Sequence, residues 1–174
     1  MKKIFSLVVL FSLFVFFGCT GPPGPPGMQG PPGRNVESEV FELRNINFGL
    51  NNNNEYTIYQ TLNPNIYDSD IVLIYRMSGT VDSNTPIWQL LPRTLFLGPG
   101  ELDYDFDFTR QDFTIYAGGT YNLVLTPEYI TNQTFRIVII PGYFSNGRQT
   151  VDLNNYNEVI RVYNIDDTHV KVLN

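Results

Sequence analysis

Residues 36–174 predict a mainly β fold: a single antiparallel β-sandwich, or a partly open barrel, with one short C-terminal helix. Three observations carry this prediction. The segment is rich in Asn, Tyr, Phe, Val and Ile and poor in Ala, a composition that suits strands and turns and suits helices badly. Short alternating or continuously apolar runs recur along it. Turn clusters separate these runs every ~10 residues, the rhythm of a sandwich or barrel. The length suffices for one domain with one sizeable core.

The elements follow in order. Residues 40–48 and 55–61 read as strands from their Val, Phe, Ile, Tyr and Thr content, with the asparagines at 51–54 as the turn between them. Residues 70–78 contain the unbroken apolar run Ile71, Val72, Leu73, Ile74 and Tyr75, which predicts a central strand covered on both faces. Gly98, Pro99 and Gly100 mark a turn. Beyond it, residues 102–108 alternate Leu102, Tyr104, Phe106 and Phe108 with Asp103, Asp105 and Asp107, so the aromatics are expected in the core and the aspartates in solvent. Residues 112–116 and 121–125 are read as strands on either side of Gly118 and Gly119. Residues 135–140 hold the second continuous run, Ile137, Val138, Ile139 and Ile140, and Ser145, Asn146 and Gly147 form a turn after it. Tyr156, Val159, Ile160 and Tyr163 fall at helical spacing with Asn154 or Asn155 as N-cap, which predicts the helix. The β-branched Val159, Ile160 and Val162 leave a strand there as the competing reading. Residues 169–173 close the domain as a last strand.

All 17 acidic residues lie in this domain, whereas Lys2, Lys3 and Arg34 precede it, so the domain is more negative than the net −6 of the chain. Such a balance disfavours nucleic acid and anionic lipid surfaces as partners, because both demand clustered Lys and Arg. The Asp103, Asp105, Asp107 spelling resembles a calcium loop, but that loop needs Gly at its sixth place and a bidentate Glu at its twelfth. Phe108 and Thr114 stand there. Carboxylates ~7 Å apart along an extended strand do not converge on one ion. No metal site is expected.

Nucleophilic catalysis finds little material. His169 is the only histidine, there is no G-x-S-x-G elbow, and no G-x-G-x-x-G opens a helix after a strand. No catalytic residue and no cofactor is expected. A carboxylate-based glycan hydrolase stands as the enzymatic alternative, without a spacing that singles out a pair. Asn132, Gln133 and Thr134 spell a sequon that we read as a turn. The aromatics give the one functional opening: Trp88, Tyr129, Tyr143 and Phe144 lie near expected loops beside Asn-rich sequence, a surface for stacking on sugar rings or peptide side chains. Against it, a single Trp in an all-β domain is commonly a core or edge anchor.

The first residues carry an address. Lys2 and Lys3 precede an uncharged apolar run at 4–17, closed by Gly18 and Cys19. The run is shorter than the ~18–20 residues that cross hydrocarbon and reads as a secretory signal, residues 1–18. Cys19 is the only cysteine, and in an oxidising compartment an unpaired cysteine needs another role. Residues 16–19 resemble the lipobox of bacterial lipoproteins. That resemblance implies a diacylglyceryl thioether on Cys19, cleavage after Gly18 and acylation of the new amino terminus. Several acyl chains anchor effectively permanently in the bilayer. By the sorting habits of such lipoproteins, Thr20 points to the outer membrane, with the periplasmic or surface face open. Residues 19–35 form the lipidated start and a stalk in which Gly21, Gly24, Gly27, Gly30 and Gly33 keep a three-residue period rich in Pro. The stalk resembles collagen. As a single chain it is an extended spacer of ~3.1 Å per residue, reaching roughly 45 Å. Three chains winding together would make a homotrimer; with so few triplets, we favour the monomer.

The whole chain is similar to a small bacterial lipoprotein with a lipobox, a short collagen-like segment and one β-rich domain. The resemblance implies a membrane-anchored, non-enzymatic interaction or envelope-structural module with a protein or glycan partner. A glycan-binding or glycan-processing domain at the outer membrane is the alternative.

Overall fold

The computed structural model describes residues 38–142 and 150–173. The signal segment, Cys19, the stalk, the turn at 145–147, Tyr143 and Phe144 lie outside these residues. Among the described residues, ten strands form two five-stranded sheets. The first sheet takes β1 (Glu39–Ile46), β4 (Ile71–Asp82), β5 (Thr85–Leu90), β9 (Gln133–Ile140) and β10 (Lys171–Leu173) in the order β10-β1-β9-β4-β5. The second takes β2 (Gly49–Leu50), β3 (Tyr56–Thr61), β6 (Arg93–Leu97), β7 (Gly100–Phe108) and β8 (Asp112–Gly119) in the order β2-β3-β8-β7-β6. Every pairing is antiparallel except β1 with β10, which is parallel.

The main core lies between the sheets. Phe41, Leu43, Val72, Ile74, Phe135, Ile137 and Ile139 from the first meet Ile58, Leu102, Tyr104, Phe113 and Ile115 from the second. A second core lies on the outer face of the first sheet, where Val40, Leu73, Tyr75, Val138 and Ile140 pack under the helix residues Tyr156 and Val159. Alternate residues of β4 and β9 therefore enter different cores, and both sets must be apolar. That is why these two strands read as unbroken runs, and β9 and β4 stand inside the sheet as the runs require.

The helix, α1, spans Tyr156–Val162. Asn155 caps it, its side chain accepting from the Glu158 amide at 3.2 Å. Tyr156 and Val159 are buried, and Ile160 and Tyr163 pack against the same cluster. The C-terminus turns at Asn164 (φ 50°), and the Ile165 amide reaches back to the Ile160 carbonyl. The strand reading of this segment does not hold. A cap and a one-sided apolar stripe outweigh the modest helix cost of the β-branched residues.

Two expectations are corrected. Residues 121–125 are not a strand: the Asn122 side chain accepts from the Val124 amide and caps a 3-10 turn at Leu123–Leu125, and Pro127 opens a second at Pro127–Tyr129. β5 and β6 are not among the expected strands; Pro86 lies within β5 and Pro92 between the two. Both are edge strands, where a missing backbone donor is tolerated. Trp88 consequently sits within a strand. β9 pairs β4 only from Ile71 to Arg76, so beyond Arg76 the β4–β5 ribbon pairs only with itself.

The alternation in β7 is as expected for Leu102 and Tyr104, which are buried, while Asp103, Asp105 and Asp107 are exposed. Burial fades along the row: Phe106 is half-buried and Phe108 is exposed, the two rings stacked at 6.4 Å. Asn132 occupies a turn (φ 55°), its amide donating to Asn47 Oδ1, and Gln133 opens β9.

Candidate functional site

The sequence singled out Trp88 and Tyr129, and the structure places them in different cores. Trp88 lies on the outer face of the first sheet, half-buried, with the Arg136 guanidinium 4.6 Å from its ring centroid and the Tyr156 ring 5.8 Å away. One face of the indole is thus already occupied by a cation. Its remaining edge borders a shallow depression of about 460 Å3, shared with Thr85, Tyr156 and the amide-rich segment Asp152, Asn154, Asn155 and Asn157. Tyr129 packs on the inter-sheet core. Its carbonyl accepts the Tyr104 hydroxyl at 2.6 Å, and the Arg76 guanidinium stands 5.6 Å from its ring.

Two arginines that sequence reading passed over organise these surroundings. Arg136, set between Phe135 and the apolar run of β9, donates from Nε to Glu42 Oε2 (3.0 Å) and from Nη1 to the Tyr156 hydroxyl (2.5 Å) and Asp167 Oδ2 (3.1 Å). Tyr156 donates in turn to Asp167 at 2.9 Å. Burial works against the Arg136 charge, but the Tyr156 hydroxyl and the Glu42 carboxylate outweigh it and hold the guanidinium above its ordinary range. The cluster ties β1, β5, β9, α1 and the segment before β10 together. Arg76, buried at the inner face of β4, donates to Gln133 Oε1 at 2.8 Å and lies 4.8 Å from the Tyr104 ring. Burial pushes the Tyr104 phenol well above its ordinary value. A lone cation inside each apolar strand was the available signal for both.

The outer face of the second sheet differs from that of the first, which lies under α1. Register puts Thr57, Tyr116 and Asp105 in one row, and Tyr59, Thr114 and Asp107 in the next. Phe96, opposite Glu101 on β6, is 80% exposed, and Tyr59 is 61% exposed. Both tyrosines are held in place. Tyr59 donates to Asp112 Oδ2 and Tyr116 to Asp107 Oδ2, each at 2.9 Å. These hydrogen bonds to carboxylates raise both phenol pKa values.

The ionisations that the fold displaces all move away from neutrality. Asp82 is lowered by the Asn84 amide and the Thr85 hydroxyl, and Asp166 by the Thr168 hydroxyl and amide. Tyr75 and Tyr156 are raised, chiefly by burial. Displacement in this direction fixes charge and hydrogen bonding and opposes proton exchange near pH 7. His169 is 89% exposed on its side chain, beside Thr168 Oγ1 at 2.9 Å and 3.8 Å from Asp166. Among the described residues, no three His, Cys, Asp or Glu side chains converge as metal ligands. Comparison of the chain with protein-family models, with curated proteins and with solved structures finds no match.

Proposed function

We propose that this protein is a lipid-anchored lipoprotein of the bacterial outer membrane whose β-sandwich is a non-enzymatic interaction module. Acyl chains on Cys19 hold it to the bilayer, and the Gly-X-Y stalk spaces it as a monomer. One observation carries the module reading: the two sheets are finished differently. The first is closed on both faces by packed cores, while the second offers solvent a flat face with tyrosines pinned by carboxylates and a bare Phe96. Side chains ordered before contact lose little entropy on binding, which suits recognition.

Photo-crosslinking in the intact envelope tests this. p-Benzoylphenylalanine at Tyr59 or Phe96 is expected to yield discrete adducts, and the same probe at Glu158 on α1 is not. Equal labelling from all three positions would refute the assignment. The second reading, a glycan-binding or glycan-processing domain, is favoured by the depression beside Trp88, where an aromatic edge adjoins Asp152, Asn154 and Asn157.

A further inference from the structure

We propose that the module carries a binding site for a neutral saccharide at the end of the second sheet, distinct from the depression beside Trp88. The inference rests on the interaction-module reading and names its ligand class. A depression of about 360 Å3 opens where β3 begins and β8 ends, lined by Tyr56, Tyr116 and Tyr121 together with Asn54, Glu55 and Asn122. Its volume falls within the ~300–1,000 Å3 of small-molecule sites.

One ring is fixed by its hydroxyl: that of Tyr121 shares a 2.7 Å hydrogen bond with Thr126 Oγ1. A tyrosine so held offers a rigid, amphipathic ring face to the C–H face of a sugar. The polar groups are half-committed in a complementary way. Asn122 uses its Oδ1 on the Val124 amide and keeps its NH2 as donor. Glu55 accepts from Asn51 through Oε2 and keeps Oε1 as acceptor. Donor and acceptor beside aromatic side chains match vicinal hydroxyls. No Lys, Arg or His lines the depression, so nothing there compensates an anion.

The adjacent glycines give an independent indication. Gly119 is required by packing, since a Cβ there would stand 2.6 Å from the Glu101 carbonyl oxygen. Gly118 is not: a Cβ at that position would meet nothing within 4 Å, and its φ is not in the left-handed region. A glycine in a strand weakens it, and one that neither conformation nor packing demands leaves room for close approach; Gly79 in β4 is open in the same way, so it is the place of Gly118 beside the depression that bears on a ligand. Gly118 lines this depression. The site also lies towards the end of β1 remote from Glu39. β8 leaves at Gly119 through the 3-10 turns to Gln133, which pairs with Ile46 at the far end of β1, whereas the chain enters β1 at Glu39 opposite Ile139. The eight residues of β1 separate the two ends by roughly 25 Å.

Affinity electrophoresis of the full chain in detergent, through gels containing mannan, mixed-linkage glucan or galactan, tests the site. Alginate serves as the anionic comparison and a Gly-Pro-Pro repeat peptide as competitor. At least one neutral polysaccharide is expected to retard the protein. Gly118→Val, which fills the open space without strain, is expected to weaken that retardation about tenfold or more while leaving the melting temperature equal or higher. Asn157→Ala, in the other depression, is expected to leave it unchanged. Retardation by none of the neutral polymers, by alginate alone, or undiminished by Gly118→Val would overturn the inference. So would displacement by the peptide, or loss with Asn157→Ala. The module reading is decided separately by the cross-linking at Tyr59 and Phe96, so the two can fail independently.

Discussion

Replacing Arg136 by Met keeps the volume of the side chain and removes its charge, which isolates what the guanidinium does. Glu42 is 6% exposed and has two cationic partners, Arg136 Nε at 3.0 Å and Arg44 Nε at 2.8 Å. Arg44 is half in solvent and screened, so after the substitution Glu42 is left as a buried carboxylate with one weak partner. Breaking a buried pair from one side costs ~3–5 kcal/mol. The hydrogen bond to Tyr156 and the cation over Trp88 are lost as well, while Tyr156 keeps Asp167. Retained Arg44 places the expected loss near the lower half of the range, ~3–4 kcal/mol. At roughly 4 °C per kcal/mol for a domain of this size, the melting temperature should fall by ~12–16 °C. Thermal and urea unfolding of the full chain in detergent measure it. The double variant Glu42→Gln with Arg136→Met should recover more than half of the loss, because the stranded charge goes with its partner. A single variant within ~1 kcal/mol of the parent, or a double variant as unstable as the sum of the singles, would refute the reasoning.

Further outcomes follow from other parts of the molecule. Leu102→Ala, at a position with no exposure, should cost ~2–5 kcal/mol, and Phe106→Ala about half the ~3–5 kcal/mol of a fully buried Phe; urea unfolding that ranks Phe106 above Leu102 would contradict the gradient of burial along β7. Asp166 has a folded pKa below its unfolded value near 3.8, so its contribution is present above that value and is lost as pH falls through the folded pKa. Asp166→Asn should accordingly flatten the acid limb of a stability–pH curve and leave the neutral region alone, and a curve parallel to that of the parent below pH 4 would show otherwise. The buried phenols Tyr75, Tyr104 and Tyr156 should titrate above the free value of 10.0, seen by ultraviolet difference absorbance as a late, unfolding-coupled rise in alkali. Cys19→Ser should abolish fatty-acid labelling and signal cleavage, and label equal to the parent would remove the lipid anchor from the proposal.

Local periodicity and local capping were legible in the chain because their causes lie within a few residues. The runs Ile71 to Tyr75 and Ile137 to Ile140 announced doubly covered strands, since only two apolar environments can satisfy both sides of a pleat. The Asp and aromatic alternation set the faces of β7, and Asn155 with the spacing of Tyr156 and Val159 announced α1. The edge strands β5 and β6 were hidden; Pro86 within β5 is a local veto on central pairing, and only the sheet order shows that this edge strand did not need the donor. Residues 121–125 have the composition of a strand, yet a single side-chain bond from Asn122 outcompetes a ladder for which no partner strand is in place. The Arg136 cluster joins Glu42, Trp88, Tyr156 and Asp167, and the tyrosine depression joins Tyr56 to Gly118 and Tyr121. Arg136 stands out in the chain as a lone cation, but neither assembly is visible there, because each depends on strands distant in sequence being brought edge to edge. Whether Gly118 is an idle glycine or part of an open depression is likewise a question about empty space, which tertiary structure alone defines.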